Sequence, residues 1–174
     1  MTVNFQQIND ACAKLGLAAP NEFIFVDTGS QTLAYCKNSA VADTYIISTS
    51  RFGIGNREGS NMTPLGLHRI EEKFGDGAPP KTIFRSRENI GIVWHEGMDN
   101  ENQILTRILR LRGLEPGVNA GPGIDSYERY IYIHGTNRED LIGTPMSHGC
   151  VCMRNDDIIK LFNIVETGIF VYIG

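Results

Sequence analysis

Short runs of apolar, aromatic and β-branched residues recur along the chain and predict a fold made mainly of β-strands. Residues 23–28 and 31–36 are two such runs, and Gly29 and Ser30 between them indicate a tight hairpin. Residues 129–133 read RYIYI and alternate in the manner of a strand. Further strands are predicted at residues 44–49, 65–70, 81–94 and 169–173.

Apolar residues at helical spacing occur near both ends of the chain. Residues 1–20 predict an amphipathic N-terminal helix ahead of a main domain at residues 21–174. Near the C-terminus, Asn155 is a favourable N-cap, and the apolar face that follows it predicts a helix that Gly168 stops. Residues 104–112 are ambiguous, but the spacing of their apolar side chains favours a helix.

The amino-acid composition indicates a folded domain and argues against nucleic-acid and membrane partners. The 174 residues carry a net charge of -4 and are 41% hydrophobic and 21% charged, which is ordinary for a folded domain. The negative charge argues against a nucleic-acid partner, because such proteins are usually basic. No apolar run is long enough for a membrane span, and the first residues do not read as a signal peptide. We therefore expect a cytoplasmic protein with no membrane partner, or a periplasmic one if the chain is truncated.

The residues best suited to chemistry gather in residues 133–156. His134 ends a predicted strand, and Cys150 follows it sixteen positions later. A thiol and an imidazole on neighbouring segments are the minimum for nucleophilic catalysis by cysteine, because the imidazole takes the proton of the thiol. His134 is the better candidate base, since His148 lies only two residues from Cys150 and would need an unusual turn to reach its sulfur.

Spacing alone leaves three other interpretations open. His134, His148, Cys150 and Cys152 are all possible zinc ligands, although they lack the usual gap of two to four residues between paired ligands. Cys150 and Cys152 also suggest a disulfide, which would be strained because residues two apart on a strand lie roughly 6.6 Å apart. The third interpretation is a plain structural role for these side chains.

The segment also resembles a known catalytic sequence. It reads HGTN at residues 134–137 and SHGCV at residues 147–151, and in this it resembles the L,D-transpeptidase (YkuD-type) family. Residues 45–66, which end in Thr-Pro-Leu-Gly, are similar to an upstream segment of the same family. The resemblance implies a mainly β, sandwich-like fold with short helices, in which the catalytic cysteine and histidine lie on neighbouring strand ends. It also implies that residues 104–112 form a strand.

The resemblance further implies roles for individual residues. Cys150 would be the nucleophile and His134 its base, oriented by the backbone carbonyl of Gly135. His148 and the backbone amides near Gly149 and Cys150 would stabilise the oxyanion. The residues expected to bind substrate are Ser147, Arg154, Thr136 and Asn137. No cofactor and no metal ion are implied.

One position departs from the family. Many members carry an arginine two residues after the nucleophile, where this chain has Cys152. Substrate carboxylates still need a cation, and Arg154 is the nearest candidate in the sequence. Cys152 is interpreted either as a filler or as a modulator of the redox state of the nucleophile.

The family acts on the stem peptides of peptidoglycan and attacks the L,D bond that follows the diamino acid at position three. Without a visible export signal, the sequence favours an L,D-carboxypeptidase that removes the terminal D-alanine from tetrapeptide stems of free muropeptides in cell-wall recycling. One alternative is an exported L,D-transpeptidase that forms cross-links. Another, from a different class, is a non-catalytic module that binds stem peptides. Carbapenem β-lactams are the inhibitors that the resemblance implies.

Overall fold

The structure is a computed structural model that describes residues 3–98 and 101–174, and these ranges contain ten β-strands and two α-helices. The strands are β1 (Glu22–Asp27), β2 (Thr32–Lys37), β3 (Ala40–Ser48), β4 (Gly66–Phe74), β5 (Thr82–Arg85), β6 (Glu88–Val93), β7 (Ile104–Gly113), β8 (Tyr132–Gly135), β9 (Val151–Met153) and β10 (Phe170–Ile173). The helices are α1 (Phe5–Lys14) and α2 (Asn155–Ile164), and a short 3₁₀ turn spans Glu139–Leu141.

The strands form one sheet that closes on itself. Its order is β4-β10-β1-β2-β3-β9-β8-β7, and β7 pairs back onto β4. The β5–β6 hairpin extends from β7, so that β6 is the outer edge of the sheet. Most neighbours are antiparallel, but β1 and β10 run parallel, as do β8 and β9. The mainly β, sandwich-like fold expected from the sequence is confirmed.

The inner faces of the strands and one face of α2 enclose the main hydrophobic core. Leu109 from β7, Ile133 from β8, Met153 from β9 and Leu161 from α2 all belong to it and are fully buried. Burial of such a side chain contributes about 1.5–3 kcal/mol to folding. Strand β8, which contains His134, and strand β9, which follows Cys150, are therefore fixed in place by the core that their side chains enter.

Helix α1 forms inside the segment where apolar spacing predicts one. The side chain of Asn4 accepts a hydrogen bond from the backbone amide of Gln7 at 3.2 Å and so caps the first turn. Ile8 and Cys12 are fully buried in a second cluster that includes Phe23 of β1. The apolar face of the helix thus packs onto the outer side of the sheet.

The helical interpretation of residues 104–112 is wrong, and the strand implied by the family resemblance is confirmed. β7 covers this run and pairs with β4, β5 and β8. A bulge between Leu105 and Ile108, where Thr106 has φ 74°, breaks the alternation of side chains. The bulge explains why apolar residues on a strand recur here at spacing typical of a helix.

Two further boundaries differ from the sequence predictions. Strand β8 begins at Tyr132 rather than at residue 129, because Tyr130 adopts a left-handed turn conformation with φ 56°. Asn155 is the first residue of α2, and Arg154 occupies the N-cap position. The Asn155 amide instead donates to the carbonyl of Thr136 at 2.8 Å, which joins the helix to the end of β8.

Neither helix in the described part of the chain has the length and apolar composition needed to cross a membrane.

Candidate active site

The candidate site lies where the parallel strands β8 and β9 run side by side. His134 on β8 is the register partner of Cys152 on β9, and Cys150 immediately precedes β9. His134 and Cys150, the expected base and nucleophile, therefore lie on neighbouring strand segments. The thiol nearest to His134, however, is that of Cys152.

The His134 imidazole is buried and held in one orientation. Its Nδ1 lies 2.7 Å from the carbonyl oxygen of Gly135, which accepts a hydrogen bond, so Nδ1 carries the proton and Nε2 is left as an acceptor. Nε2 faces the Cys152 sulfur at 3.8 Å. Burial lowers the pKa of His134 to about 4, so the ring is neutral near pH 7 and can accept a proton.

Gly135 cannot be replaced without disturbing this arrangement. A Cβ atom at this position would lie 2.6 Å from the side-chain oxygen of Asn155 and 2.8 Å from the backbone oxygen of Leu105. The close packing keeps the Gly135 carbonyl in place, and that carbonyl fixes the tautomer of His134. The orienting role that the family resemblance implies for Gly135 is consistent with this geometry.

Cys150 is partly exposed and lines a cleft. Its thiol donates to the backbone oxygen of Tyr130 at 3.6 Å. Burial raises the pKa of Cys150 to about 11, while a backbone hydrogen bond from Tyr132 and the charge of Arg129 act to lower it. In the described ranges, the only thiol hydrogen-bonded to His134 is that of Cys152. Deprotonation of Cys150 thus requires help from its surroundings.

Cys152 is fully buried, unlike Cys150. The Asn102 side-chain amide lies 3.9 Å from its sulfur. Burial raises the pKa of Cys152 well above its usual range. Cys152 is not among the residues that line the cleft at Cys150.

Arg129 is a functional candidate that the sequence did not suggest. Its Nη1 donates to the Gly55 carbonyl at 3.2 Å and its Nη2 to the Met62 carbonyl at 2.6 Å. These contacts hold its positive charge where it lowers the pKa of Cys150. Spacing along the sequence does not reveal this role, because the carbonyls that hold the Arg129 guanidinium belong to the loop at residues 51–63.

Ser147 and Gly149 shape the turn that presents Cys150. The Ser147 hydroxyl accepts from the backbone amide of Gly149 at 3.2 Å and donates to the backbone oxygen of Cys150 at 2.6 Å. Ser147 is almost fully buried, and Gly149 has φ 124°, a conformation that favours glycine. The hydroxyl of Ser147 is thus engaged by the main chain, and its expected contact with substrate stays a prediction.

His148 points away from the buried side of this turn. Its Nε2 lies 2.8 Å from Nη2 of Arg51, which donates, and its ring lies 5.5 Å from the ring of Phe52. His148 and Arg51 line a cleft of about 620 Å³ together with Asn102. The oxyanion role expected for His148 and for the amides near Gly149 stays a prediction.

The other expected substrate-binding residues lie around the end of β8. The Thr136 hydroxyl donates to the Asn102 side chain at 2.7 Å, and Asn137 accepts from the backbone amide of Gln103 at 2.8 Å. Both residues are buried and tie the segment after β8 to the segment before β7. Arg154 is exposed at the N-cap of α2. Contact of these three residues with substrate also stays a prediction.

The cleft at Cys150 has a volume of about 450 Å³. Its lining combines the tip of the β5–β6 hairpin with the segment before β8, and consists of Ser86, Arg87, Ile104, Tyr130, Tyr132 and Cys150. It therefore offers a thiol, aromatic rings and a guanidinium to a bound molecule. All four cysteines are free thiols. Within residues 3–98 and 101–174, no three side chains suited to ligate a metal gather at one point.

The sequence and fold are similar to known proteins. Residues 21–173 match the family model described as the L,D-transpeptidase catalytic domain, YkuD. The chain is 46% identical over 146 residues to YqjB of Bacillus subtilis strain 168, named as a candidate L,D-transpeptidase; the match covers 84% of this chain and 67% of YqjB.

Two solved structures share the fold. One is the LD transpeptidase LdtMt1 in complex with imipenem, with a TM-score of 0.54 at 18% identity, covering 90% of this chain and 60% of that one. The other is a cysteine-to-serine mutant of the Enterococcus faecium L,D-transpeptidase, with a TM-score of 0.55 at 17% identity, covering 89% of this chain and 50% of that one. The chain thus spans half to two thirds of these relatives. Because the family model covers nearly all of the chain, the protein belongs to the L,D-transpeptidase (YkuD) catalytic-domain family.

Proposed function

We propose that the protein is a cysteine-dependent L,D-carboxypeptidase that removes the terminal D-alanine from tetrapeptide stems. The observation that carries this proposal is the position of Cys150, which lines a cleft and directly precedes the strand paired with the one that holds a neutral, oriented His134. Membership of the L,D-transpeptidase family supports a cysteine nucleophile. The substrates are free muropeptides, and the role is in cell-wall recycling in the cytoplasm.

The first step is transfer of the Cys150 proton to Nε2 of His134. Cys150 directly precedes β9, and the side chain of Cys152, two residues later, faces His134. In the proposed step, rotation about the Cα–Cβ bond of Cys150 turns its sulfur from Tyr130 toward His134. The thiolate then attacks the carbonyl of the diamino acid and forms a tetrahedral intermediate. The backbone amide of Cys150 stabilises its oxyanion, because the amide of Gly149 already donates to the Ser147 hydroxyl.

The remaining steps return the enzyme to its starting state. The protonated imidazole of His134 donates its proton to the leaving amine, and D-alanine departs as the thioester forms. Water, deprotonated by the same Nε2, attacks the thioester and releases a tripeptide. The Cys150 thiolate leaves and recovers the proton, so that atoms and charges balance over the cycle.

The dimensions of the cleft favour water over an amine as the acceptor. Its volume is about 450 Å³, and its lining includes Arg87 at the hairpin tip and Tyr130. Once one stem occupies this space, a water molecule fits more readily than a second stem. The alternative, cross-linking with an amine acceptor, is favoured by the L,D-transpeptidase name of the relatives. The cleft at His148 and Arg51, of about 620 Å³, could receive such an acceptor.

Incubation with a free tetrapeptide stem tests the proposal. We expect tripeptide and D-alanine as the products by mass, with little dimer even when an amine acceptor is abundant. A predominance of dimer would contradict hydrolysis and establish cross-linking. Binding of the stem without any product would instead support a non-catalytic module. The Cys12→Ala variant is the control, because this buried thiol belongs to α1 and lies away from the cleft.

A further inference from the structure

The stem peptides of the proposed function carry free carboxylates, and recognition of these requires a cation in the site. The residue two positions after Cys150 is Cys152, which is uncharged and fully buried. Arg154, the nearest cation in the sequence, is exposed at the start of α2. A cation that binds the substrate carboxylate must therefore come from another part of the fold.

Arg87 lies in the cleft that contains Cys150. It sits at the tip of the β5–β6 hairpin, where Ser86 and Arg87 have φ values of 49° and 71°. Two consecutive residues with positive φ form a tight turn that matches the twist of the flanking strands. The hairpin thus places the Arg87 side chain at a defined position over the cleft.

Two tyrosines hold the Arg87 guanidinium beside the thiol. Its Nη1 donates to the Tyr132 hydroxyl at 3.2 Å, and its Cζ lies 5.3 Å from the centre of the Tyr130 ring. The backbone oxygen of Tyr130 also accepts the thiol hydrogen of Cys150. The same tyrosine thus contacts both the cation and the expected nucleophile.

The other arginines around the cleft are already engaged. Arg110 forms an ion pair with Glu72 at 2.9 Å, and Arg129 donates from both terminal nitrogens to backbone carbonyls. Across residues 3–98 and 101–174, no carboxylate lies within 4.0 Å of the Arg87 guanidinium. A guanidinium has five N–H donors in a planar fork, so those not used by Tyr132 suit a carboxylate.

We propose that Arg87 binds a carboxylate of the stem peptide whose scissile carbonyl lies at Cys150, and that the β5–β6 hairpin is therefore the specificity element of this enzyme. The inference rests on the proposed function and adds to it the means by which the cleft selects an anionic peptide. A peptide whose carboxylate is replaced by an amide leaves the cation unpaired and is disfavoured for that reason.

The test compares Arg87→Met with Arg85→Met. Arg85 is exposed on the same hairpin, two residues earlier, and is absent from the lining of the cleft. Arg85→Met therefore removes one positive charge from the hairpin, as Arg87→Met does, but leaves the cleft unchanged. Three substrates are used: the tetrapeptide stem, the same stem with a terminal carboxamide, and the stem with a carboxamide on the free carboxylate of the diamino acid. The two amides show which carboxylate meets Arg87.

For the native protein and Arg85→Met, we expect kcat/KM to fall roughly 10- to 100-fold on at least one amide substrate. For Arg87→Met, we expect kcat/KM on the unmodified tetrapeptide to fall by the same factor. The same variant should cleave that amide substrate with nearly the kcat/KM of the native protein. Equal losses on all three substrates would overturn the inference, because they indicate a structural role only. Unchanged discrimination in Arg87→Met would overturn it as well.

A second measurement does not depend on turnover. Iodoacetate is anionic and iodoacetamide is neutral, so the ratio of their alkylation rates at Cys150 reports the positive charge in the cleft. We expect Arg87→Met to lower this ratio several-fold and Arg85→Met to leave it near the native value. An unchanged ratio in Arg87→Met overturns the inference. If no stem peptide is cleaved, the proposed function fails, and this ratio still decides whether Arg87 presents its charge to the cleft.

Discussion

The Nε2 atom of His134 lies 3.8 Å from the sulfur of Cys152, while the expected nucleophile, Cys150, directs its thiol to the backbone of Tyr130. His134 and Cys152 are register partners across β8 and β9. His134 and Cys152 thus face each other across one strand pair, and Cys150 directly precedes β9. Because the two thiols have different surroundings, substitution of each cysteine in turn can distinguish their roles.

Cys150→Ala should abolish hydrolysis of a stem peptide, whereas Cys152→Ala should retain it. Cys150 lines the cleft, but Cys152 is fully buried beside Asn102. Product masses and thermal unfolding are measured for each variant. Cys36→Ala is the control for loss of a buried thiol remote from the site.

The converse result would reassign the nucleophile. Full activity in Cys150→Ala, together with loss of activity in a folded Cys152→Ala, would show that the thiol next to His134 performs the attack. Unaltered kinetics in Cys152→Ala would indicate that the second thiol acts only as a filler of the core.

Carbapenems should acylate the protein once, at Cys150. One relative with this fold was solved in complex with imipenem, and a strained β-lactam carbonyl needs only an accessible thiolate. Intact mass and peptide mapping after incubation near neutral pH provide the measurement. An adduct on Cys152 would contradict the assignment of SHGC as the segment that carries the nucleophile.

Arg129→Met should raise the pKa of Cys150. The guanidinium favours the thiolate, so its removal stabilises the neutral thiol and shifts the titration to higher pH. The pH dependence of alkylation by iodoacetamide gives the pKa directly, and the rate near pH 7 should fall several-fold. Arg154→Met, which removes an exposed charge at the N-cap of α2, is the control. A rate profile identical to that of the native protein would show that Arg129 only ties down the loop at residues 51–63.

The sequence predicted the strands better than it predicted the surroundings of the Cys150 thiol. The hairpin of β1 and β2 follows from local turn chemistry at Gly29 and Ser30, and the structure confirms it. Residues 104–112 misled the pattern analysis because a bulge at Thr106 shifts the apolar positions on β7.

The cations around Cys150 could not be predicted for a different reason. Carbonyl groups of the loop at residues 51–63 hold Arg129 near the thiol. Arg87 shares a cleft with the thiol but belongs to a hairpin about sixty residues away in the sequence. Such contacts depend on how separate elements pack against one another, so they cannot be predicted from the spacing of residues along the sequence. Arg154, which is close to Cys150 in sequence, is exposed at the start of a helix.

The protein should lose stability as the pH falls from about 6.5 toward 5, near the ordinary pKa of histidine. Burial lowers the pKa of both His68 and His134 to about 4, so each ring stays neutral in the folded state while the unfolded chain takes up a proton. His68 donates from Nδ1 to the Gly66 carbonyl and accepts at Nε2 from the Ser126 hydroxyl, at 3.0 and 2.9 Å. A proton on Nε2 would break the second bond.

Because the unfolded state binds more protons in this range, the free energy of unfolding must decrease with falling pH. Each histidine contributes up to about 1.4 kcal/mol per pH unit below its unfolded pKa. Denaturant unfolding at pH 7 and pH 5 measures the total, and His68→Gln should remove about half of the difference. His95→Gln, which changes an exposed histidine, should leave the difference intact. An equal pH dependence in the native protein and His68→Gln would show that His68 is not held neutral by the fold.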